Sequence, residues 1–323
     1  MCLFISSCRK EEKLPLGRGR AAIGGFYTRY GRIASRGLVD EAEILRAIDV
    51  ALANGVQLFD VANIYGAGDA ERLLGRALAG RRQQAILQVK FGASFDEVTR
   101  AQIDYEGEIS EEMVRRSLAG SLRRLRTDVI DIFQFQVASY PQEKLPEMVA
   151  LLERLVAEGQ IRSYSFGTSE VEKLRPFVEA PHCATVITNH NVLMDQPAVL
   201  ALLEENDVAL LAGVPFYMGL LTGKINAASE FDAADARAGW PLDSPRFVEI
   251  QQKVAALREL LTSKGRPMVQ GALAWLWARH PLTIPVPGFR TAEQVENSVA
   301  ALQLGPLTLD QMAQIDEIIS QYA

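Results

Sequence analysis

The chain has 323 residues, with 34 Lys and Arg against 40 Asp and Glu, a formal net charge of -6, and 48% hydrophobic residues. That length serves one large α/β barrel or two ordinary domains, and the acidic balance argues against nucleic acid or an anionic membrane as a main partner, since both bind through basic surface. Cys2, Cys8 and Cys183 are odd in number and lack ligand spacing, so free thiols in a reducing, cytoplasmic setting are expected rather than a disulfide framework or a metal site.

The apolar patch at Leu3-Phe4-Ile5 is followed, not preceded, by the charges of Arg9 to Lys13, the reverse of a secretory signal. No run approaches the ~18 apolar residues of a membrane span. The first 15 residues are expected to form a poorly ordered extension. Beyond them, short apolar runs alternate with amphipathic stretches without a Pro/Gly/Ser-rich linker. Strands are predicted at 20–24, 56–60, 85–90, 129–135, 161–166, 184–188, 208–213 and 282–286. Helices are predicted at 41–54, 69–80, 110–126, 143–158, 170–178, 196–205, 246–263 and 291–302, and a last one at 308–321. Eight strands, each followed by a helix, make a (β/α)8 TIM barrel, one α/β domain over 16–323.

A doubly wound sheet competes through Gly17-Arg18-Gly19-Arg20-Ala21-Ala22, which fits G-x-G-x-x-A with Asp40 about twenty residues on. The preceding Glu11 to Leu16 is charged and proline-broken and no helix follows, so these glycines are assigned to the first barrel strand and its exit loop. Loops 92–109 and 214–245 are long and follow strands directly, which puts them on the carboxyl rim where a barrel does its chemistry.

Asp60, Tyr65 and Lys90 close two successive apolar runs, Leu58 to Gly66 and Ile86 to Gly92, and so fall on that same rim. A phenol titrates near pH ~10, and an adjacent ammonium stabilises its phenolate and lowers that value, while a carboxylate holds the ammonium in place. The set suits proton donation to a developing alkoxide during carbonyl reduction by hydride.

On these residues the sequence resembles the aldo-keto reductases from about residue 16 to 320. Asn54-Gly55-Val56-Gln57-Leu58-Phe59-Asp60-Val61-Ala62 with Tyr65-Gly66 is similar to the family's aspartate and tyrosine segment, Gly68 to Leu78 continues it, and Val89-Lys90-Phe91-Gly92 is similar to its lysine segment. Gly219-Leu220-Leu221-Thr222-Gly223-Lys224 resembles the loop along the cofactor pyrophosphate, and Pro287 to Ser298 the segment at the adenosine phosphate. The resemblance implies NADP(H), held by Ser169, Asn189, Pro215, Gly219, Leu221, Gly223, Lys224, Gly288, Arg290, Gln294, Asn297 and Ser298. A helix starting near Thr291 offers unpaired N–H groups to a phosphate, and Arg290 adds a planar charged fork suited to a 2′-phosphate. Taken alone, Arg290 reads equally as a solvated surface arginine.

The departures are specific. Gln136, in Ile132-Phe133-Gln134-Phe135-Gln136, stands where the family has a histidine; a carboxamide can orient a carbonyl but cannot ionise. His182 and His190 flank strand six, and His280 ends a helix before Pro281, where it reads as a dipole-complementing cap. Glu170 follows Ser169 where an asparagine is usual, and Gly213 takes the place of a stacking aromatic that Phe216 or Tyr217 could supply. Phe26, Tyr27, Phe95, Tyr140 and Tyr217 are candidates to line a substrate pocket, or to act only as shielding lids.

The leading reading is an NADPH-dependent reductase of an aldehyde or ketone, including a sugar or secondary-metabolite carbonyl, with Tyr65 as general acid, Lys90 and Asp60 tuning it, and Gln136 orienting the carbonyl. Two others stay open: a low-turnover NADP(H)-binding sensor or interaction protein, and an alcohol or sugar dehydrogenase with Tyr65 as base. The partner expected is a small carbonyl or alcohol; nothing in the sequence fixes an oligomer.

Overall fold

Alternation along the strands sorts the side chains into two cores. In Leu58-Phe59-Asp60-Val61-Ala62, Phe59 and Val61 join the large cluster between strands and helices, while Leu58 joins Ile132, Ile187, Leu211 and Val286 along the barrel axis. The computed structural model describes residues 16–19, 23–105 and 109–322; the N-terminal extension expected over residues 1–15 lies outside them.

The strands are β1 (Arg18–Gly19), β2 (Leu58–Ala62), β3 (Ile86–Phe91), β4 (Ile130–Phe135), β5 (Ile161–Gly167), β6 (Cys183–Asn189), β7 (Ala209–Gly213) and β8 (Thr283–Pro285). They form one eight-stranded parallel sheet in sequential order, and the Gly17 amide donates to the Pro285 carbonyl at 2.9 Å, closing β8 onto β1. A doubly wound sheet reverses its strand order; this one does not. The first strand begins earlier than predicted: β1 holds Gly19 of the glycine motif, and residues 20–22 fall outside the described set.

The helices are α1 (Glu41–Ala53), α2 (Asp69–Ala77), α3 (Glu111–Leu125), α4 (Leu145–Ala157), α5 (Val171–Val178), α6 (Pro197–Glu205), α7 (Pro245–Ala256), α8 (Met268–Arg279), α9 (Ala292–Leu304) and α10 (Leu309–Ser320). The predicted helix 246–263 is divided into α7 and a short turn at Arg258–Leu261. Helix α8 has no counterpart among the predicted ranges: it has buried residues on nearly every side, so it carries no polar stripe by which periodicity could place it. A Cβ at Gly271 would stand 1.8 Å from the Leu261 carbonyl oxygen; α8 meets the preceding segment backbone to backbone there. Helix α10 packs on the barrel side against α7 and α8, with Met312 and Ile315 in the cluster around Trp275. Among the described residues no helix is long and apolar enough to cross a membrane.

The rim loops are built rather than open. Loop 92–109 folds back as an antiparallel pair, Ala93–Phe95 with Gln102–Asp104, and 28–33 forms a smaller one. The segment after β7 crosses to the loop after β1, where Ser35 donates to the Ala234 carbonyl at 2.8 Å and the amides of Gly37 and Ala236 bond Ala234 and Ser35.

Candidate active site

Residue parity on β2 and β3 sends Asp60 and Lys90 into the barrel near its carboxyl mouth, each only 4% exposed. The Lys90 ammonium donates to Asp60 Oδ1, and the Gln88 amide donates to the same oxygen at 3.1 Å. Two charges taken from water require this kind of direct pairing. Tyr65 is half-buried in the turn after β2, with Lys90 Nζ 5.6 Å from its ring centroid and the buried Tyr27 ring 6.1 Å away. Thus the acid, phenol and amine singled out in the sequence meet at one place.

Two features hold the Tyr65 turn. A Cβ at Gly66 (φ +58°) would lie 1.5 Å from the Gly24 carbonyl oxygen, and one at Gly24 would lie 2.6 Å from the Tyr65 carbonyl, so the loops after β1 and β2 touch through two glycines. Arg100, from loop 92–109, donates to the carbonyls of Phe26 (2.7 Å) and Gly66 (2.6 Å) and to Asp69 (2.7 Å). Sequence reading missed Arg100.

Gln136 follows β4, exposed at the mouth, with its amide N–H bonded to the Phe91 carbonyl at 3.0 Å. A Cβ at Gly167 would stand 2.9 Å from both polar atoms of its carboxamide, which therefore lies over the end of β5. Ser169 and Asn189 are exposed beyond β5 and at the end of β6. Two carboxamides and a hydroxyl thus stand exposed at adjacent strand ends, a set that can both donate and accept hydrogen bonds.

After β7, Pro215 and Leu221 are buried, Gly219 and Gly223 half-buried, and Lys224 exposed. The amides of Gly219, Leu221 and Gly223 bond the carbonyls of Phe216, Phe216 and Leu220. Cationic side chains at this loop include Lys224 and two guanidinium groups the sequence did not mark, Arg36 and Arg237, which reach the sulfur (2.8 Å) and carbonyl (3.4 Å) of Met218. Both also pair with Asp235. Burial raises the Asp235 carboxyl, but the hydrogen bonds from Arg237 and the charges of Arg237 and Arg36 outweigh it and hold the group below the ordinary aspartate value.

At α9, Thr291 caps the helix and the Gln294 side chain accepts from the Arg290 amide at 2.8 Å. Arg290 Nη1 donates to the Arg36 carbonyl at 2.7 Å, beside exposed Gly288. The first helical amide, Ala292, is already met at 2.8 Å by Glu43 of α1; hydrogen bonds from Arg46 first and from Ala292 second keep that carboxyl below its usual range. Asn297 accepts from Gln270 at 2.8 Å, and Ser298 is buried with its hydroxyl on the Gln294 carbonyl at 2.9 Å. Both look toward their own packing.

Among the aromatic candidates, Tyr27 sets its ring 6.1 Å from that of Tyr65. Phe95 lies under the Arg124 guanidinium, and a Cβ at Gly68 would stand 3.1 Å from its ring. Tyr140 is buried with its edge on Phe135. Half-buried Tyr217 packs against two apolar clusters, and Phe26 is half-buried. His280 Nδ1 accepts from the Leu282 amide at 3.2 Å, so the ring serves the turn into β8 rather than the end of α8. His190 is fully buried against Trp275, and burial pushes it down to about 4 despite nearby Asp195.

A model of the Aldo/keto reductase family matches residues 17–320. The chain belongs to that family. It is accordingly an oxidoreductase that works with a nicotinamide dinucleotide. An aldo-keto reductase, str7, of Strobilurus tenacellus is 29% identical over 95% of this chain and 87% of its own length. The NADH-specific methylglyoxal reductase of Escherichia coli is 26% identical over 91% and 94%. Among solved structures, a glycerol dehydrogenase from Gluconobacter oxydans is 27% identical with a TM-score of 0.78, covering 95% of this chain and 92% of that one.

Proposed function

We propose that this aldo/keto reductase transfers hydride from NADPH to a small aldehyde or ketone, with Tyr65 as the general acid. The observation that carries the reading is the buried Lys90–Asp60 pair set beside the Tyr65 ring at the barrel mouth. Lys90 favours the phenolate through its charge, Asp60 holds the ammonium against the loss of water around it, and Gln136 offers an N–H to the carbonyl oxygen. The nicotinamide supplies the hydride when bound; Ser169 and Asn189 hold its carboxamide, Lys224 lies along the phosphates, and Arg290 meets the adenosine 2′-phosphate. Tyr65 delivers its proton to the oxygen as negative charge develops there.

Tyr65→Phe tests the assignment. Carbonyl-dependent NADPH oxidation falls by about two to four orders of magnitude, while fluorescence titration shows NADPH bound as before. Turnover equal to the parent enzyme rejects Tyr65 as the acid. The reverse direction, with Tyr65 as base toward an alcohol or polyol, is supported by the similarity to a glycerol dehydrogenase. Assays in both directions across pH separate the two, and a low-turnover sensor is recognised by tight cofactor retention with single-turnover chemistry only.

A further inference from the structure

The inside of a TIM barrel is ordinarily packed with branched aliphatic side chains, yet here Gln88 and Gln134 are both completely buried within it. They form a chain. Asp60 Oδ1 accepts from Gln88 Nε2 at 3.1 Å, Gln134 Oε1 accepts from the same nitrogen at 2.6 Å, and Gln134 Nε2 donates to Gln136 Oε1. The Thr185 hydroxyl, from β6, donates to Gln88 Oε1 at 3.1 Å and closes the remaining acceptor.

The chain has a direction. An ionised carboxylate only accepts, so the edge Gln88 turns toward Asp60 must be its NH2 group. The second proton of that NH2 meets the Gln134 oxygen, which turns the Gln134 NH2 outward onto the Gln136 oxygen. Reversing any one amide would set two donors or two acceptors face to face in a buried site, where an unmet polar group is costly. The oxygen of Gln136 is therefore used from below, and its NH2 edge is the one left for the mouth. Gly167 leaves the room in which this carboxamide lies, since a Cβ there would come within 2.8 Å of Gln134 Nε2 and 2.9 Å of both Gln136 polar atoms.

We propose that Gln134 is a positioning residue: together with Gln88 it transmits the acceptor character of Asp60 to Gln136, so that position 136 presents a donor, never an acceptor, to the substrate oxygen. The inference rests on the reading that Gln136 touches the substrate carbonyl. It ties the orienting group to the same carboxylate that holds Lys90.

The test is Gln134→Glu. Of the charged groups inside the barrel near position 134, Lys90 stands on the adjacent β3 and Asp60 one strand further on, on β2. A protonated glutamic acid there accepts from Gln88 and donates to Gln136, copying the glutamine. Ionised, it only accepts, and Gln136 must turn over and show its oxygen to the substrate. The expected result is a kcat that falls about tenfold to a hundredfold as pH rises through the new titration, with no such step in the parent enzyme and with NADPH affinity unchanged. Side-chain amide exchange in apoprotein labelled with 15N-glutamine gives a second readout: the Gln136 NH2 exchanges freely in the parent and becomes protected in the ionised variant. Should the variant not fold, Gln134→Leu removes the donor without charge and is expected to lower kcat at all pH values with cofactor binding intact. Unchanged Gln136 exchange, or unchanged kcat in the leucine variant, overturns the proposal. Protected exchange with an unaltered rate overturns instead the assignment of Gln136 to the substrate, an outcome independent of Tyr65→Phe.

Discussion

Lys90→Met probes the buried pair on which the proposed chemistry rests. The side chains of Lys90 and Asp60 are 5% and 0% exposed, so removing the ammonium strands a carboxylate whose remaining partner among the described residues is the Gln88 amide at 3.1 Å. Breaking such a buried pair costs about 3–5 kcal/mol, less where the carboxyl can take up a proton. The double variant Asp60→Asn/Lys90→Met removes both charges and is expected to regain most of that loss, because neutral groups of similar shape replace a buried pair at little cost. Carbonyl reduction is not expected to return with stability: both variants lack the ammonium proposed to favour the Tyr65 phenolate and should be slower by about 100-fold or more. Urea unfolding midpoints and single-turnover NADPH oxidation measure the two effects separately. A Lys90→Met protein with the parent's midpoint, or a double variant with the parent's rate, refutes the reasoning.

Three further outcomes are expected. Gly66→Ala forces a Cβ onto the Gly24 carbonyl at a left-handed backbone position, so the turn carrying Tyr65 shifts; activity should fall at least tenfold while far-UV circular dichroism stays that of the parent, and an unimpaired enzyme contradicts the role given to this contact. Glu43→Gln keeps an acceptor for the Ala292 amide but removes a negative charge from the start of α9; the NADPH dissociation constant should drop several-fold and that of NADH should not, and equal changes for both count against Arg290 as the phosphate contact. His190, held near 4 by burial, stays neutral in the fold while the unfolded chain protonates below about 6.5. Its share of stability is whole above pH 6.5 and is lost as pH falls toward 4, by about 3 kcal/mol in all; His190→Phe should flatten that part of a stability-against-pH curve, and an unchanged slope refutes it.

Asp60 and Lys90 were legible because charged residues ending apolar strands are conspicuous. The same period of two hid Gln88 and Gln134. They stand two residues before Lys90 and Gln136 and share their face, but a neutral amide inside an apolar run reads as an interruption rather than a site. Arg100 could not be found this way, since its carbonyl partners Phe26 and Gly66 lie 74 and 34 residues away. Glu43 was equally hidden: it reads as an ordinary first-turn acid of α1, and only the closure of the barrel brings α9 beside it. No range is predicted for α8, because a helix buried all round has no polar face to give it a period.

Gln136→His asks whether the chain beneath position 136 selects the residue or merely tolerates it. A histidine there would receive the Gln134 N–H on one ring nitrogen, which leaves the ring proton on the other nitrogen, toward the mouth. The buried amides that orient a carboxamide would thus fix the imidazole in its donating tautomer. The variant should reduce carbonyls at a rate within about tenfold of the parent and acquire a pH dependence near the ordinary histidine value of about 6.5. Adding Gln134→Leu removes the constraint on the tautomer, so the double variant should lose both the rate and part of the new pH response. If the histidine variant is inactive with NADPH still bound, or if Gln134→Leu leaves its profile untouched, the direction of the amide chain has no bearing on the group above it.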